Sequence, residues 1–396
     1  MAPSTSPQRP SVLFAHPSDE AYGADRVFLT TVMAAVADGR VVRVLLPDDT
    51  APGWLSERLN AMGVLVKRGP LAPARRRYLR IRALPAYAMS LLRAARFMRQ
   101  EALALGAAVI YVNTSSLLVA AFVGRPGRAH LVWHIHELVM RPRFAAWIFR
   151  FAPVVGADCV IAISDAVRAH LTPAGLGKRK VVRIYNGIDA AKYRLLADRA
   201  IGHPRIAFVG RLNRWKGYEV FLRAASQVAA EFPTARFQFF GAPPPGEEWR
   251  AIALVADIQR LGLAACTDVF GFQSDMPTVL GSIDIVVAPS LWPEPFGLAL
   301  LEAMSAGCAV VGSDSGATPE LVDNGRSGLL VAPGDVDALA HALRILLQDP
   351  DFRQRLGTHA RERAESFSES TFVSEVQRIL RKLDHATLPS TRSVTT

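Results

Sequence analysis

Cysteine is scarce in this sequence, and its three copies do not suggest a disulfide framework. Cys159, Cys266 and Cys308 are far apart along the chain, and each lies in or beside an apolar segment. An odd number of scattered cysteines is typical of reduced thiols in the core of an intracellular protein. We therefore expect a cytoplasmic protein whose fold does not depend on disulfides.

Long uninterrupted apolar runs are also missing. The N-terminal stretch MAPSTSPQRP lacks the apolar core that a signal peptide needs, so we do not expect secretion. The longest apolar stretches, 102–124 and 144–164, are interrupted by polar or charged residues such as Asn113, Arg150 and Asp158. Neither makes a good membrane span. We expect both stretches to form buried strands and helices.

Acidic residues are absent between Glu57 and Glu101, although the chain carries a formal net charge of +11. Within this gap, an amphipathic helix with a basic edge is predicted from Pro85 to about Leu105. Two interpretations of this edge are equally favoured. It binds anionic lipid headgroups at the inner face of the cell membrane, or it is a basic face exposed to solvent. We do not expect nucleic acid, because interleaved aromatic residues and a known binding motif are lacking. The basic residues of segment 75–99 are Arg75, Arg76, Arg77, Arg80, Arg82, Arg93, Arg96 and Arg99.

Strands and helices alternate along most of the chain. Its 396 residues are enough for two α/β domains, each with its own core. The alternation predicts parallel sheets with helices on both faces, and ligands gather at the strand ends of such sheets. We predict two doubly wound, Rossmann-like domains over 11–190 and 204–367, a helix over 368–385 and a tail over 386–396.

Two strand-to-helix turns of the second predicted domain suit a phosphate group. In VGRLNRWKG, Arg211 and Lys216 lie in the loop, and a helix begins near Tyr218. In the other turn a proline-rich loop leads to Gly297, and a helix follows. Free N–H groups at a helix start and two nearby cations both favour a diphosphate. The glycine and hydroxyl spacing of a Walker loop is absent.

Two carboxylates and a histidine are further candidate site residues. Glu294 and Glu302 bracket the second turn, so phosphates at the centre of a ligand and hydroxyls at its ends could both be held, as in a nucleotide sugar. His136 lies at a strand end of the first domain, where packing or capping is an equally ordinary role. A zinc site there is only weakly indicated, because His130 stands roughly 13 Å from His134 along the strand. The Asp-x-Asp pairs that begin at Asp335 and Asp349 are predicted to be helix caps, and Ser164 is predicted to be the N-cap of the helix that follows it.

Several motifs occur in one order along the chain: AISDAV (162–167), IYNGID (184–189), VGRLNRWKG (209–217), EPFGLALLE (294–302) and GATPELVDNGRSGLLVAPGD (316–335). Together they resemble the signature of retaining glycosyltransferases of family 4. This group is related to bacterial glycogen synthases and phosphatidylinositol mannosyltransferases. The resemblance implies a GT-B fold, in which two domains face an interdomain cleft and the C-terminal helix returns to the first domain.

The resemblance also implies roles for individual residues. Arg211 and Lys216 would neutralise the departing diphosphate, Glu302 would bind the ribose, and Glu294 would bind the donor sugar together with His136. Tyr22-Gly23 replaces the usual pair of glycines, which weakens the expected backbone contact with the donor phosphate. The residues assigned to catalysis are His136, Glu294, Arg211 and Lys216. Those assigned to substrate binding are Gly23, Arg211, Lys216, Phe270, Gly271, Glu294, Phe296, Gly297, Leu298 and Glu302.

The implied activity is transfer of a hexose from a UDP- or GDP-sugar to a glycan or lipid-linked acceptor, with retention of anomeric configuration. No metal or other cofactor is required, because fixed cations take the charge of the leaving group. Two alternatives stay open: a nucleotide-sugar epimerase and a non-catalytic subunit that only binds a nucleotide sugar. The base, the sugar and the acceptor are not specified by the sequence.

Overall fold

The computed structural model describes residues 9–75, 82, 84–193 and 203–387. The chain divides into two compact units, of which the first runs to Gly187 and resumes at Ser370, and the second spans Ile188–Glu369. Each unit contains one wholly parallel sheet flanked by helices, so the predicted α/β fold class is confirmed. Arg76, Arg77, Arg80 and residues 194–202, which lie between the two predicted domains, are outside the described residues.

The first unit is built on a sheet with the strand order β3-β2-β1-β4-β5-β6-β7. Its strands are β1 (Arg9–Ala15), β2 (Arg40–Pro47), β3 (Leu65–Gly69), β4 (Val109–Asn113), β5 (His130–Ile135), β6 (Cys159–Ala162) and β7 (Val181–Arg183). Its helices are α1 (Gly23–Ala37), α2 (Trp54–Ala61), α3 (Leu84–Leu105), α4 (Arg143–Gly156) and α5 (Asp165–Leu171). The strand order reverses between β1 and β4, which brings the residues after β1, β4 and β5 to one edge of the sheet.

The second unit repeats this plan with the strand order β10-β9-β8-β11-β12-β13. Its strands are β8 (Arg205–Val209), β9 (Arg236–Phe240), β10 (Thr267–Gly271), β11 (Ile285–Ala288), β12 (Ala309–Ser313) and β13 (Leu329–Val331). Its helices are α6 (Tyr218–Val228), α7 (Trp249–Arg260), α8 (Met276–Gly281), α9 (Leu298–Ser305), α10 (Thr318–Leu321), α11 (Val336–Gln348) and α12 (Pro350–Ala364). The order reverses between β8 and β11, so the two predicted phosphate turns lie side by side.

The last helix, α13 (Glu369–Thr387), completes the first unit rather than the second. Phe372, Val376 and Leu380 recur on one face of this helix and are buried. At its far end Asp384 accepts hydrogen bonds from Arg40. Residues from the end of the chain therefore contribute to the core that begins with β1.

The expectation of a buried segment over 144–164 holds for β6 but is wrong for α4. Trp147 is 65% exposed and Val155 is 74% exposed, and Phe144 and Ile148 on the same helix face are also exposed. Helix α4 packs against α5, β6 and the 3-10 turn Leu118–Phe122, and these contacts leave the face with Trp147 and Val155 exposed. No helix among the described ranges has the length and apolar character needed to cross a bilayer.

Several predicted helix caps are confirmed. The Ser164 side chain accepts a hydrogen bond from the backbone N–H of Val167 at the start of α5. Asp335 and Asp349 accept from backbone N–H groups in the first turns of α11 and α12. In each case a short polar side chain satisfies a donor that the helix itself cannot, a local relation that the sequence alone makes visible.

Candidate functional site

The loop after β8 is fixed in position by a close backbone approach. Lys216 ends a 3-10 turn (Arg214–Lys216) that is capped by Asn213, whose Oδ1 accepts from the Lys216 backbone N–H at 3.1 Å. The next residue, Gly217, has a φ of +72°, and a Cβ there would lie 1.9 Å from the Pro289 carbonyl oxygen. Only glycine fits at such a distance. The Lys216 loop is therefore seated directly on the segment that follows β11.

Glu294 is the buried acid of this region. Lys216 Nζ donates to its Oε1 at 2.7 Å, and Ser290 Oγ donates to the same oxygen at 2.5 Å. The Glu294 backbone is also held, because its carbonyl accepts from Ala317 N at 2.8 Å. These bonds fix a carboxylate and an ammonium group side by side in a largely buried setting, where charge pairs act more strongly than in water.

A small cavity that opens to solvent lies over this pair. Lys216, Ser290, Glu294 and Gly297 contribute to its lining. Helix α9 begins directly after Gly297, whose φ of +99° turns the chain into the helix. The first N–H groups of α9 and the Lys216 ammonium both favour a negatively charged group in this cavity.

The other residues predicted for the second unit differ in their burial and in their position relative to the cavity. Arg211 is half-buried in the same loop as Lys216, whereas Glu302 is half-buried on α9 and is not part of the cavity lining. Leu298, the first residue of α9, is half-buried. Phe296 is buried, and its ring contacts Phe367 at a centroid distance of 6.1 Å.

The predicted base-binding segment lies at the end of β10. The Phe270 ring is exposed and stacks on Phe240, with ring centroids 4.8 Å apart. The Gly271 carbonyl accepts a hydrogen bond from Gly241 N at 2.7 Å. The exposed ring offers a flat apolar surface at the carboxyl edge of the sheet.

In the first unit, His136 lies immediately after β5 and is oriented by β4. Its Nε2 is 2.9 Å from Oδ1 of Asn113, and its ring lies 4.2 Å from that of His134. Burial, followed by the proximity of His134 and His16, lowers the pKa of His136 well below its ordinary value. Burial alone lowers the pKa of His134 to about 3. Both imidazoles are therefore neutral at pH 7.

The end of β4 is a strained segment beside His136. Thr114 has a φ of +80°, which is costly for a β-branched residue and is found mainly where surrounding contacts enforce it. Here Trp133 Nε1 donates to the Thr114 carbonyl at 2.7 Å. Ser115 donates through its backbone N–H and its hydroxyl to Glu137, at 3.1 Å and 3.2 Å. Burial raises the pKa of Glu137.

Sequence reasoning passed over Ser290, which bonds directly to Glu294. It is a short polar side chain just beyond a buried strand, which is the signal that could have identified it. Asn113, which ends β4, bonds directly to His136. Gly23 begins α1 after Tyr22, and its contribution as a backbone contact stays a prediction. Within the described residues, His, Cys, Asp and Glu side chains form no cluster suited to a metal ion.

Two family models match the chain, one on each half. The model described as Glycosyltransferase Family 4 matches residues 22–192. The model described as Glycosyl transferases group 1 matches residues 198–363. The matched ranges follow the division into two α/β units.

Curated relatives agree with these models. The alpha-maltose-1-phosphate synthase of Mycolicibacterium smegmatis is 33% identical over 276 residues, which are 63% of this chain and 70% of that protein. The phosphatidyl-myo-inositol mannosyltransferase of the same organism is 32% identical over 227 residues, 55% of this chain and 56% of that protein. The aligned part thus spans little more than half of the mannosyltransferase.

Solved structures match nearly the whole length of the chain. HepE of Anabaena in complex with UDP and glucose has a TM-score of 0.79 and 25% identity, covering 94% of this chain and all of that one (100%). Sucrose-phosphate synthase of Thermosynechococcus elongatus has a TM-score of 0.80 and 22% identity, covering 96% and 100% of the two chains. This second likeness shows the fold alone. The chain belongs to the family 4 glycosyltransferases, with a group 1 domain in its second half, and it is a glycosyltransferase enzyme.

Proposed function

We propose that the protein is a retaining hexosyltransferase that uses a nucleoside diphosphate sugar, with a UDP-sugar as the first candidate donor. The observation that carries this proposal is the Lys216–Glu294 pair, which lines a cavity at the start of α9. The HepE structures with UDP and with UDP-glucose support a uridine nucleotide. A GDP-sugar stays the second candidate donor.

The chemistry follows from charge placed before the reaction begins. When the bond between the sugar anomeric carbon and the diphosphate oxygen breaks, its electron pair stays on that oxygen. Lys216, Arg211 and the first N–H groups of α9 stabilise the developing charge, so the proposal requires no metal. Glu294 binds donor-sugar hydroxyls, Glu302 binds the ribose, and His136 contacts the sugar. The acceptor hydroxyl attacks from the face that the diphosphate leaves, and its proton passes to the departing diphosphate oxygen, which gives retention.

The direct test compares Lys216→Met and Glu294→Gln with Glu231→Gln, an exposed acid of the same unit that pairs with Arg344. With a panel of UDP- and GDP-sugars and glycan or lipid acceptors, we expect the first two variants to lose at least about tenfold in turnover and the control to keep it. Equal turnover in all three would remove the assigned roles. NMR of the product reports the anomeric configuration, and an inverted product would exclude retention.

The two alternative functions give different results in the same assay. A nucleotide-sugar epimerase would convert the donor with no acceptor present. A non-catalytic subunit would be stabilised by a nucleotide in thermal unfolding and would transfer nothing. Dependence of donor consumption on the acceptor distinguishes the proposed transferase from both.

We further propose that the acceptor is lipid-linked and that the first unit docks on an anionic membrane. Arg93, Arg96 and Arg99 on α3 are exposed, and α3 and α4 both contact the 3-10 turn Leu118–Phe122. Phe122 of this turn and the apolar face of α4 are exposed as well. Exposed aromatic residues next to cationic ones suit the headgroup region of a bilayer that carries negative charge.

Vesicle sedimentation tests the docking surface. We expect binding to vesicles that contain phosphatidylglycerol and little binding to phosphatidylcholine alone, with loss of binding in Trp147→Ser and in Arg93→Gln combined with Arg96→Gln. Trp249→Ser is the matched control, because Trp249 is an exposed tryptophan of the second unit. Equal binding to both vesicle types, or an equal loss in the control, would overturn the proposal and leave the basic edge as a solvated surface.

A further inference from the structure

A continuous chain of hydrogen bonds, buried except at its last member, leads to His136 through three adjacent elements of the first unit. Asp25 lies in the first turn of α1, His16 follows β1, and Asn113 ends β4. Asp25 Oδ1 is 3.1 Å from His16 Nε2, His16 Nδ1 is 2.9 Å from Asn113 Nδ2, and Asn113 Oδ1 is 2.9 Å from His136 Nε2. Asp25, His16 and Asn113 are all buried. The chain thus crosses the point where the strand order reverses.

Asp25 determines which atom of His16 donates a hydrogen bond at the start of this chain. Its Oδ1 also accepts from Ser18 Oγ at 2.9 Å and from the Glu20 backbone N–H at 3.1 Å. Two donors other than His16 thus meet on this oxygen, so it acts as a hydrogen-bond acceptor toward His16 Nε2 as well. The His16 proton is therefore on Nε2, facing Asp25. Asn113 Nδ2, which faces His16 Nδ1 at 2.9 Å, can only donate, so His16 Nδ1 carries a lone pair.

Asn113 links the position of the proton on His16 to the position of the proton on His136. An amide nitrogen can only donate, so Nδ2 is the end of the amide that matches the lone pair of His16. The amide oxygen is then turned toward His136, and because an amide oxygen can only accept, the proton of His136 must be on Nε2. The lone pair of a neutral His136 is consequently on Nδ1. Each donor has one matching acceptor from Asp25 to the end of the chain.

Backbone geometry supports a positioning role for this arrangement. Asn113 directly precedes Thr114, the residue held at a φ of +80°, and the Thr114 backbone N–H donates to the His134 carbonyl at 2.7 Å. The His16 ring also stacks on Phe28, with centroids 4.4 Å apart. These contacts leave Asn113 and His16 little freedom to rotate, so the amide is held in one orientation.

We propose that Asp25, His16 and Asn113 are positioning residues that hold His136 as the neutral tautomer protonated on Nε2, so that its Nδ1 accepts a hydrogen bond from a hydroxyl of the donor sugar. The sugar contact rests on the proposed function, whereas the tautomer does not. The low pKa of His136 is consistent with a neutral ring. An acceptor at this position would favour a donor sugar that presents a hydroxyl over one that lacks it.

Nitrogen-15 NMR of the imidazole rings tests the tautomer without any activity measurement. The His136 signals are assigned by their loss in His136→Gln. In the unmodified protein we expect a protonated Nε2 and an unprotonated Nδ1 at pH 7. A His136 protonated on Nδ1, or on both nitrogens, would overturn the proposal on this measurement alone.

Variants test whether the chain enforces that tautomer. Asn113→Leu removes both amide contacts, and Asp25→Asn removes the carboxylate that begins the chain, so we expect a mixture of His136 tautomers in each. Tyr111→Phe is the matched control, because it removes a buried bond of 2.9 Å from the same strand to His134 and leaves the chain intact. An unchanged tautomer in both chain variants, folded by circular dichroism, would contradict the proposal. So would a tautomer mixture in the control.

Kinetics with deoxygenated donors test the sugar contact. We expect Asn113→Leu to lower kcat/KM about tenfold with the full donor, the loss typical of one hydrogen bond. A donor analogue that lacks the contacted hydroxyl should show the same loss with the unmodified enzyme and no further loss with the variant. Additive losses for every analogue would overturn the contact with Nδ1. If His136→Gln kept full activity, the proposed role of His136 would fail, while the NMR result would still decide the tautomer.

Discussion

At the scale of single residues, the pairing of Lys216 with Glu294 joins two roles that the sequence suggested separately. The lysine was assigned to the diphosphate and the glutamate to the sugar, and their side chains bond to each other at 2.7 Å. Because each neutralises the other, neither charge is left uncompensated in the largely buried setting. A donor that binds with its phosphate near Lys216 and its hydroxyls near Glu294 would contact both ends of one pair.

The backbone of Glu294 depends on the absence of a side chain at Gly316. A Cβ at Gly316 would lie 2.3 Å from the Glu294 carbonyl oxygen and 2.4 Å from its nitrogen. We expect Gly316→Ala to displace Glu294, to destabilise the second unit by about 2–4 kcal/mol through strain and steric overlap, and to weaken donor binding. Thermal unfolding and nucleotide titration measure the two effects.

Gly325 provides the control for this glycine. Its φ is +78°, close to the +64° of Gly316, but a Cβ there would have nothing within 4 Å. Gly325→Ala should therefore cost only the conformational strain, about 1–2 kcal/mol, and should leave nucleotide affinity unchanged. Equal effects of the two substitutions would show that steric overlap with Glu294 is not what Gly316 avoids.

Sequence reasoning succeeds at this scale where the interaction is local. The caps at Ser164, Asp335 and Asp349 could be predicted, because donor and acceptor are a few residues apart. The contact between Gly316 and Glu294 joins two separate turns, and its necessity depends on how closely they approach. A local sequence pattern does not give the distance between two separate turns. The close approach of Gly316 to Glu294 therefore could not be predicted from the sequence.

At the scale of elements, α13 is held to the first unit by a buried charge cluster. Asp38 bonds to Arg40 at 3.0 Å and to Arg381 of α13 at 2.6 Å, and its side chain is 1% exposed. We expect Asp38→Asn to destabilise the first unit by about 3 kcal/mol, because Arg40 and Arg381 lose a buried partner. Denaturant unfolding followed by tryptophan fluorescence measures the change.

The matched control for this cluster is an exposed pair on another helix. Asp257 and Arg260 of α7 are 2.8 Å apart and largely solvated. Asp257→Asn should change stability by less than about 0.5 kcal/mol. A small effect of Asp38→Asn, similar to that of the control, would mean that the apolar face of α13 alone secures the helix.

Element boundaries were the most predictable part of this fold. The helix expected from Pro85 to about Leu105 is observed as Leu84–Leu105, and the helix expected after Gly297 begins at Leu298. Periodicity and glycine positions are local signals, so they locate the ends of elements well. They do not tell what an apolar face will contact, which is why the exposed face of α4 was wrongly expected to be buried.

At the scale of the whole molecule, buried neutral histidines make stability depend on pH. His134 is fully buried, its Nε2 has no hydrogen-bond partner among the described residues, and its pKa falls from 6.5 to about 3. The unfolded chain takes up a proton on this residue near pH 6.5, whereas the folded chain does not until about pH 3. Stability contributed by neutral His134 is therefore present above pH 6.5 and is lost progressively as the pH falls toward 3.

We expect this residue to account for about 2 kcal/mol of the stability lost between pH 7 and pH 5. Denaturant unfolding at several pH values gives the slope for each variant. The slope should be shallower in His134→Gln and unchanged in His341→Gln, which removes an exposed histidine of α11. Identical slopes in the unmodified protein and His134→Gln would exclude His134 as a source of acid sensitivity.

The division into two α/β units was predictable because strands and helices alternate and the alternation restarts near Arg205. The family followed from motifs that occur in a fixed order. The network from Asp25 to His136 was not predictable, because its members come from β4 and from the segments after β1 and β5. Only the order in which strands join the sheet makes these segments neighbours.

The first unit is assembled from both ends of the chain, while the second is continuous from Ile188 to Glu369. A ribosome makes the chain from its N-terminus, so every residue of the second unit emerges before α13 does. A nascent chain that stops at Glu369 holds a complete second unit and a first unit whose Arg40 has not yet met Asp384. The half of the enzyme that is translated first is thus the last to be finished.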